Sequence, residues 1–368
     1  MDRKRVLLLG SGQCGNKLTS LLLQKDGRYT GIFCNASMSD MEKLPKVDIN
    51  RNVFYIPNAT GTGKNPELAS RYIKEEVQKL IDMILKYPLQ ETIIFLLSAD
   101  GGFGNGSLKP TTMAIKHAIK QGIMPQKSIN VVGILPNLNE GKVAFKNTIK
   151  FWNDLIYLKN KGLIDSVQFI DNNKRKTLEE INECAIEELD YILGFQADTV
   201  DESDSKRINT EKGYKFLMKL DKKYKGIDLA IDNAIKQSVF VEPANYDCKY
   251  LGISVKKEDF YAEDFKNKFD TLEAPYCGYN DEENLILLSG LSIPKEPIEM
   301  VEMALKDAEA KEKERMTEDK EDLFIHVDDE NKNAKKEVNT KSQKEIKSTV
   351  SSKELNNLFD ESFWDDWF

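Results

Sequence analysis

Asp100-Gly101-Gly102-Phe103-Gly104-Asn105-Gly106-Ser107 follows closely on the apolar run Thr92–Leu97, and its reading decides the fold. Glycine at this density lets a backbone turn its N–H groups toward an anion at close range, and a following helix N-terminus adds positive dipole. Two more glycine-rich loops lie upstream. Gly10-Ser11-Gly12-Gln13-Cys14-Gly15-Asn16 closes the run Arg5–Leu9, and Gly61-Thr62-Gly63-Lys64-Asn65 precedes a long periodic segment. One such loop is an ordinary turn; three at strand ends describe a pocket for the phosphates of a nucleotide.

Around these loops, strand and helix patterns alternate. Arg5–Leu9, Gly31–Cys34, Thr92–Leu97, Ile129–Leu135 and Ser166–Ile170 read as buried strands. Asn16–Gln24 and Glu67–Tyr87 read as helices, as does a segment running through Ile119 with Pro110 in its first turn. This predicts an α/β, Rossmann-like domain with a parallel sheet and ligands at the strand C-terminal ends. Thr177–Gly194 reads as one long helix. A smaller α/β unit follows, with helices near Ser205–Leu220, Gly226–Phe240 and Tyr261–Thr271 and strands at Tyr250–Val255, Tyr276–Tyr279 and Asn284–Ser292.

Beyond Pro294 and Pro297 a charged helix is expected to about Leu323, its apolar stripe fading within two turns. Residues 328–353 are nearly devoid of large apolar groups and read as a disordered linker. The chain closes on an acidic-aromatic segment, 355–368, holding two of its three tryptophans, where no core is expected to bury them. Five large aromatics among acids resemble a short motif that docks a basic or apolar groove.

Composition narrows the function. A net charge of −8 argues against direct nucleic-acid binding. Five scattered cysteines without a C-x-x-C pair suggest reduced thiols, and two histidines, His117 and His326, leave little for a metal cluster or a histidine triad. The apolar run behind the basic N-terminus is too short for a signal peptide or membrane span, so a soluble, cytoplasmic protein is expected.

The nucleotide is not a dinucleotide on the usual pattern. Gly10-x-Gly12-x-x-Gly15 matches the fingerprint, but the second strand ends in Asn35 where an acid should hold the ribose. A Walker A loop is absent as well, because Asn65 follows Lys64 where Ser or Thr is required.

The residues instead resemble the tubulin/FtsZ superfamily of GTPases, over roughly residues 5–294. Gly12-Gln13-Cys14-Gly15-Asn16 is similar to the first loop of tubulin, and Gly61-Thr62-Gly63-Lys64-Asn65-Pro66-Glu67 to the third phosphate loop of FtsZ. The 100–107 stretch resembles the signature loop G-G-G-T-G-[ST]-G, with Asp100, Phe103 and Asn105 as departures. The resemblance implies GTP or GDP with Mg²⁺. It places Gly10, Gly12, Gln13, Cys14, Asn16, Asn35, Gly61, Thr62, Gly63, Lys64, Gly101, Gly102, Phe103, Gly104, Asn105 and Gly106 around the nucleotide. Pro136-Asn137-Leu138-Asn139-Glu140-Gly141 resembles the sugar-contacting segment, with Glu140 as its acid. Guanine recognition falls to Asn172, whose amide can offer both a donor and an acceptor, with Asn182 of the central helix as the second amide.

The family's hydrolytic acids act on the nucleotide of the next subunit. Thr199-Val200-Asp201-Glu202-Ser203-Asp204 resembles the pattern N-x-D-x-x-D, which assigns Asp201 and Asp204, with Asp198 as the off-register alternative. The resemblance implies a GTP-binding domain (1–176), a central helix (177–198), an activation domain (199–294), a C-terminal helix (295–326) and a linker with tail (327–368). The charged helix and acidic tail point to the plasmid- and phage-borne branch. Head-to-tail filaments that segregate or position DNA are expected there, the tail contacting a DNA-binding adaptor or a neighbouring subunit. A division-ring GTPase and a non-polymerising nucleotide-binding regulator remain the alternatives.

Overall fold

The computed structural model describes residues 2–322 together with Phe359, Phe363 and Trp364. Met1–Lys306 forms one compact unit and Asp307–Phe368 a second. The strands are β1 (Val6–Ser11), β2 (Thr30–Asn35), β3 (Val53–Tyr55), β4 (Thr92–Ser98), β5 (Ser128–Leu135), β6 (Ser166–Asp171), β7 (Gly213–Lys219), β8 (Tyr250–Val255), β9 (Tyr276–Tyr279) and β10 (Leu285–Leu291). The helices are α1 (Gly12–Lys25), α2 (Pro66–Leu85), α3 (Phe103–Lys120), α4 (Lys142–Asn160), α5 (Leu178–Leu193), α6 (Glu202–Thr210), α7 (Ile227–Gln237) and α8 (Glu296–Asp322).

Among the described residues the strands join one sheet in the order β3-β2-β1-β4-β5-β6-β7-β10-β8-β9. Pairing is parallel from β3 across to β7, antiparallel on both sides of β10, and parallel again between β8 and β9. The chain runs outward from β1 to β2 and β3, then returns to place β4 on the other side of β1. That reversal opens a crevice at the C-terminal ends of β1 and β4, where ligands of open α/β sheets bind. The glycine loops 10–16 and 100–107 leave β1 and β4 at this point.

Local chemistry sets the helices around the crevice. Asn65 caps α2 by accepting from Leu68 N at 2.9 Å, and Pro66 occupies the first turn, where its missing N–H costs nothing. The Thr177 hydroxyl caps α5 by accepting from Glu180 N at 3.2 Å. The inner faces of these helices, Ala69, Ile73, Val77, Leu80, Ile81 and Ile84 on α2 and Ile181, Ala185, Leu189 and Ile192 on α5, recur at helical spacing and are buried.

Several expectations need correction. Ser205–Leu220 is not one helix: α6 ends at Thr210 and β7 begins at Gly213, whose φ of +105° breaks the helix. Tyr214 through Met218 are then buried on both faces of the sheet, including Lys215. Tyr261–Thr271 holds only a 3₁₀ turn, Ala262–Phe265, because Thr271 pairs with Cys248 as an extended bridge. Pro110 lies well inside α3 rather than in its first turn, since that helix already starts at Phe103. Helix α4 and the short strand β3 were not anticipated.

The 328–353 linker lies outside the described residues. In the tail, the Phe363 ring lies 5.4 Å from Phe359 and 4.6 Å from Trp364, and all three side chains are buried. The expectation of an unburied terminal tryptophan is therefore corrected for Trp364, which lies in an aromatic cluster; Trp367 lies outside the described residues.

Candidate nucleotide-binding site

The glycines of the three loops are used for close approach. A Cβ on Gly15 would fall 1.8 Å from the Leu96 carbonyl oxygen, so α1 sits directly on β4. Gly12, at φ +73°, faces Gly104 N, and Gly104 in turn lies against Ser11 O. Gly102 lies against Thr62 Oγ1 and Asn65 N, and Gly106 against Pro66 O. The 10–16 and 61–65 loops thus both close on the 100–106 segment. Most of that segment is helical: the turn is Ala99–Gly102, while Phe103, Gly104, Asn105 and Gly106 open α3 and direct its free N–H groups and dipole at the crevice.

Side chains lock the loops to one another. Asn147 on α4 donates to Lys64 O and to Asp100 O, both at 2.9 Å. Asn105 donates to Ala99 O at 2.8 Å and to Asn147 O at 2.7 Å. The Ser11 and Ser107 hydroxyls share a hydrogen bond of 2.7 Å. Asn16 and Asn35 are spent similarly. Asn16 donates to Cys34 O at 3.0 Å and accepts from Cys34 N at 3.1 Å. Asn35 accepts from Ala36 N at 2.8 Å and donates to Asp40 at 2.9 Å. Asn16, Asn35 and Asn105 thus shape the loops with their amides, while the buried Asn105 amide oxygen accepts no hydrogen bond among the described residues.

What remains available is backbone and a few polar tips. Gly61 (φ +130°), Gly63 (φ +55°) and Lys64 (φ +58°) form a left-handed turn, and added Cβ atoms on the two glycines would meet nothing within 4 Å. Thr62 O accepts from Asn65 N at 2.9 Å and closes that turn. Gln13 is exposed and Cys14 half-buried. Burial, then the Asp100 charge, push the Cys14 thiol up to about 12, so it stays neutral. Phe103 is buried. Asn172 and Asn182 are half-buried and make no side-chain hydrogen bond among the described residues, leaving both amides available for a base.

A charged cluster at this end centres on the Lys64 ammonium. The ammonium donates to Asp100 at 3.3 Å and approaches Glu140 at 3.5 Å. Burial, reinforced by the Asp100 charge, pushes the Glu140 carboxyl above its ordinary value. Burial works against the charge on Lys64, but the Asp100 and Glu140 carboxylates outweigh it and hold the amine above its usual value. Sequence reasoning missed Asp100 as a participant and Asn147 altogether; nothing in a lone Asn on a helix signals its two loop contacts.

The assigned acids lie elsewhere. Asp201 caps α6 by accepting from Asp204 N at 2.8 Å, a bond that holds its carboxyl below the usual range. Asp204 lies 3.8 Å from Arg207. Two residues on, Lys206 pairs with Glu91 at 3.0 Å, immediately before β4. The acid-bearing helix therefore sits at the foot of β4 and the phosphate loops at its head, about 20 Å apart along a seven-residue strand. Asp198 is committed to the sheet: its carboxylate accepts from Tyr279 N at 2.7 Å and crowds Gly278.

Comparison with known proteins shows the same fold elsewhere. No family model matches the chain. The tubulin-like protein TubZ of a Clostridium botulinum C phage is 27% identical over 361 residues, covering 96% of this chain and 97% of that protein. The solved structure of C. botulinum phage c-st TubZ lacking its C-terminal tail superposes with a TM-score of 0.76 at 25% identity, over 84% of this chain and 100% of that one. A GTPγS-form protofilament of Bacillus thuringiensis serovar israelensis TubZ shares the fold, with a TM-score of 0.70 at 15% identity over 86% and 94% of the two chains. No helix among the described residues is long and apolar enough to cross a membrane.

Proposed function

We propose, from the premise that this chain is a member of the tubulin/FtsZ superfamily similar along almost its whole length to a phage TubZ, that it binds and hydrolyses GTP and polymerises head to tail into filaments. The observation that carries this reading is the separation of its two half-sites. The phosphate loops stand at the head of β4, and Asp201 and Asp204 stand near its foot, about 20 Å away. Acids at that distance cannot orient water on their own chain's nucleotide. They can do so for a second copy stacked on the first, and such a heterologous contact repeats into a filament. The relative solved as a GTPγS-form protofilament supports the same reading.

In the assembled site each residue has a defined task. The N–H groups of 10–16, 61–65 and 101–106 cradle the phosphates, and Lys64 balances their charge. Glu140 lies on the ribose side, and Asn172 with Asn182 reads the guanine edge. Asp201 and Asp204 of the neighbouring copy orient the attacking water, which suits a reaction governed by positioning and charge stabilisation. Among the described residues no group of three or more metal-ligating side chains is gathered. Mg²⁺ would be held by the phosphate oxygens of the bound nucleotide and would supply charge neutralisation there.

The division into a GTP-binding domain (1–176), central helix (177–198), activation domain (199–294), C-terminal helix (295–326) and tail belongs to the same proposal. So do plasmid or phage DNA as the cargo and the 355–368 segment as the contact to an adaptor or neighbouring subunit. The test is GTP turnover per molecule measured against protein concentration. Turnover should rise steeply as filaments form by light scattering; a flat profile would remove catalysis between copies.

A further inference from the structure

The signature loop carries one change of charge, and it lies beside the cation of the phosphate site. Asp100 stands where the family pattern has a glycine. Its side chain is mostly buried, with one carboxylate oxygen accepting from the Ser98 hydroxyl and the other from the Lys64 ammonium at 3.3 Å. Lys64 is drawn into this position by its backbone as well. Its left-handed φ of +58°, unusual for a residue with a side chain, and the bond from Asn147 to its carbonyl fix the turn next to Asp100. The same Asn147 amide group donates to Asp100 O, so the two residues are joined through backbone and side chain alike.

We infer that Asp100 is an internal competitor for the nucleotide: its carboxylate holds the Lys64 ammonium that would otherwise bind phosphate, and so it sets nucleotide affinity and release. This rests on the reading of the three loops as a GTP site. An incoming polyphosphate must draw Lys64 away from Asp100 and tolerate the carboxylate that remains. A glycine at position 100 would impose neither requirement. The ion pair thereby converts part of the binding energy into an exchange of partners, which weakens binding and speeds exchange without altering the shape of the cradle. Asp100 acts here through Lys64 and is a positioning residue.

The discriminating measurement is the affinity and release rate of a fluorescent GTP analogue and its GDP counterpart at fixed ionic strength and Mg²⁺. It compares the full-length wild type with D100N, K64A and the double variant. D100N keeps the side-chain shape and the acceptor for Ser98, and D100G restores the family's residue if the amide disturbs folding. Both should bind GTP about three- to fivefold more tightly and release it more slowly, the upper end of the scale for a partly exposed ion pair. In the K64A background, the same change at 100 should move affinity by less than about twofold. Equal tightening in both backgrounds would show simple repulsion and overturn the exchange through Lys64. Unchanged or weaker binding in D100N and D100G would overturn the role of Asp100, while leaving the GTP site intact. A folded wild type that binds no guanine nucleotide would remove the proposed function itself, and this inference with it.

Discussion

Lys206 on α6 donates to Glu91 at 3.0 Å, and Glu91 immediately precedes the strand whose far end leads into Asp100. One strand therefore spaces the acid-bearing helix from the phosphate loops, and the proposed sharing of the reaction between two copies rests on its length. Asp204→Ala should leave GTP affinity within about twofold of wild type, because it touches no loop of its own pocket. Turnover should fall by at least about a hundredfold, within the range lost when a group acting in the transition state is removed, and filaments should persist longer. GTP titration, phosphate release and sedimentation check the three parts. Unchanged turnover would remove the assignment.

Asn147 should behave as a binding residue although its side chain contacts only backbone. Its amide group ties Lys64 O to Asp100 O, and its own carbonyl receives Asn105. Asn147→Ala frees the 61–65 turn from the 100–106 segment and leaves buried carbonyls without partners. A stability loss of about 1–3 kcal/mol is expected, together with a GTP affinity at least about tenfold weaker. Equilibrium unfolding and nucleotide titration separate the two effects.

Glu188 on the central helix gives a pH dependence with a definite sign. It is buried, accepting from the Ser238 hydroxyl at 2.6 Å and from Val239 N at 3.0 Å, and so ties α5 to the chain leaving α7. Burial pushes its carboxyl up from 4.5 to about 7, against those two bonds. A folded value above the unfolded one means that its favourable contribution is complete below about 4.5 and is lost as pH rises through about 7. Glu188→Gln should therefore match the wild type near pH 4.5 and exceed it by up to about 3 kcal/mol above pH 8. Parallel denaturation curves at the two pH values test this.

The parts of the molecule that were legible in the sequence are those whose residue type has one use. Glycines at 10, 12, 15, 102, 104 and 106 mark backbone contacts that leave no room for a side chain, and their positions gave the pocket and the fold. Residues with many uses did not announce themselves. Asn147 reaches the loops only because α4 crosses them, which no local pattern encodes. The run from Tyr214 to Lys219 carries apolar groups compatible with either period; Gly213 and burial on both faces make it a strand. Likewise, Asp201 and Asp204 were assigned by resemblance, but their place at the opposite end of the sheet follows from topology alone.

One helical, one loop and one surface glycine separate steric from conformational demands. A Cβ on Gly106 would lie 2.0 Å from Pro66 O and 2.8 Å from the Ala69 Cβ, so Gly106→Ala must push the start of α2 off α3. That shift carries the attached 61–65 turn away from Asp100. A loss of about 2–4 kcal/mol is expected, with nucleotide affinity falling alongside. Gly61→Ala meets no atom within 4 Å but must hold φ +130°, so its cost of about 1–2 kcal/mol is backbone strain. Gly27→Ala, with open space and no such φ, should be neutral within about 0.5 kcal/mol. Thermal unfolding of the three variants should rank them in that order. A Gly106→Ala protein as stable as Gly27→Ala would mean that α2 and α3 do not meet at this glycine, and the convergence of the loops would fail with it.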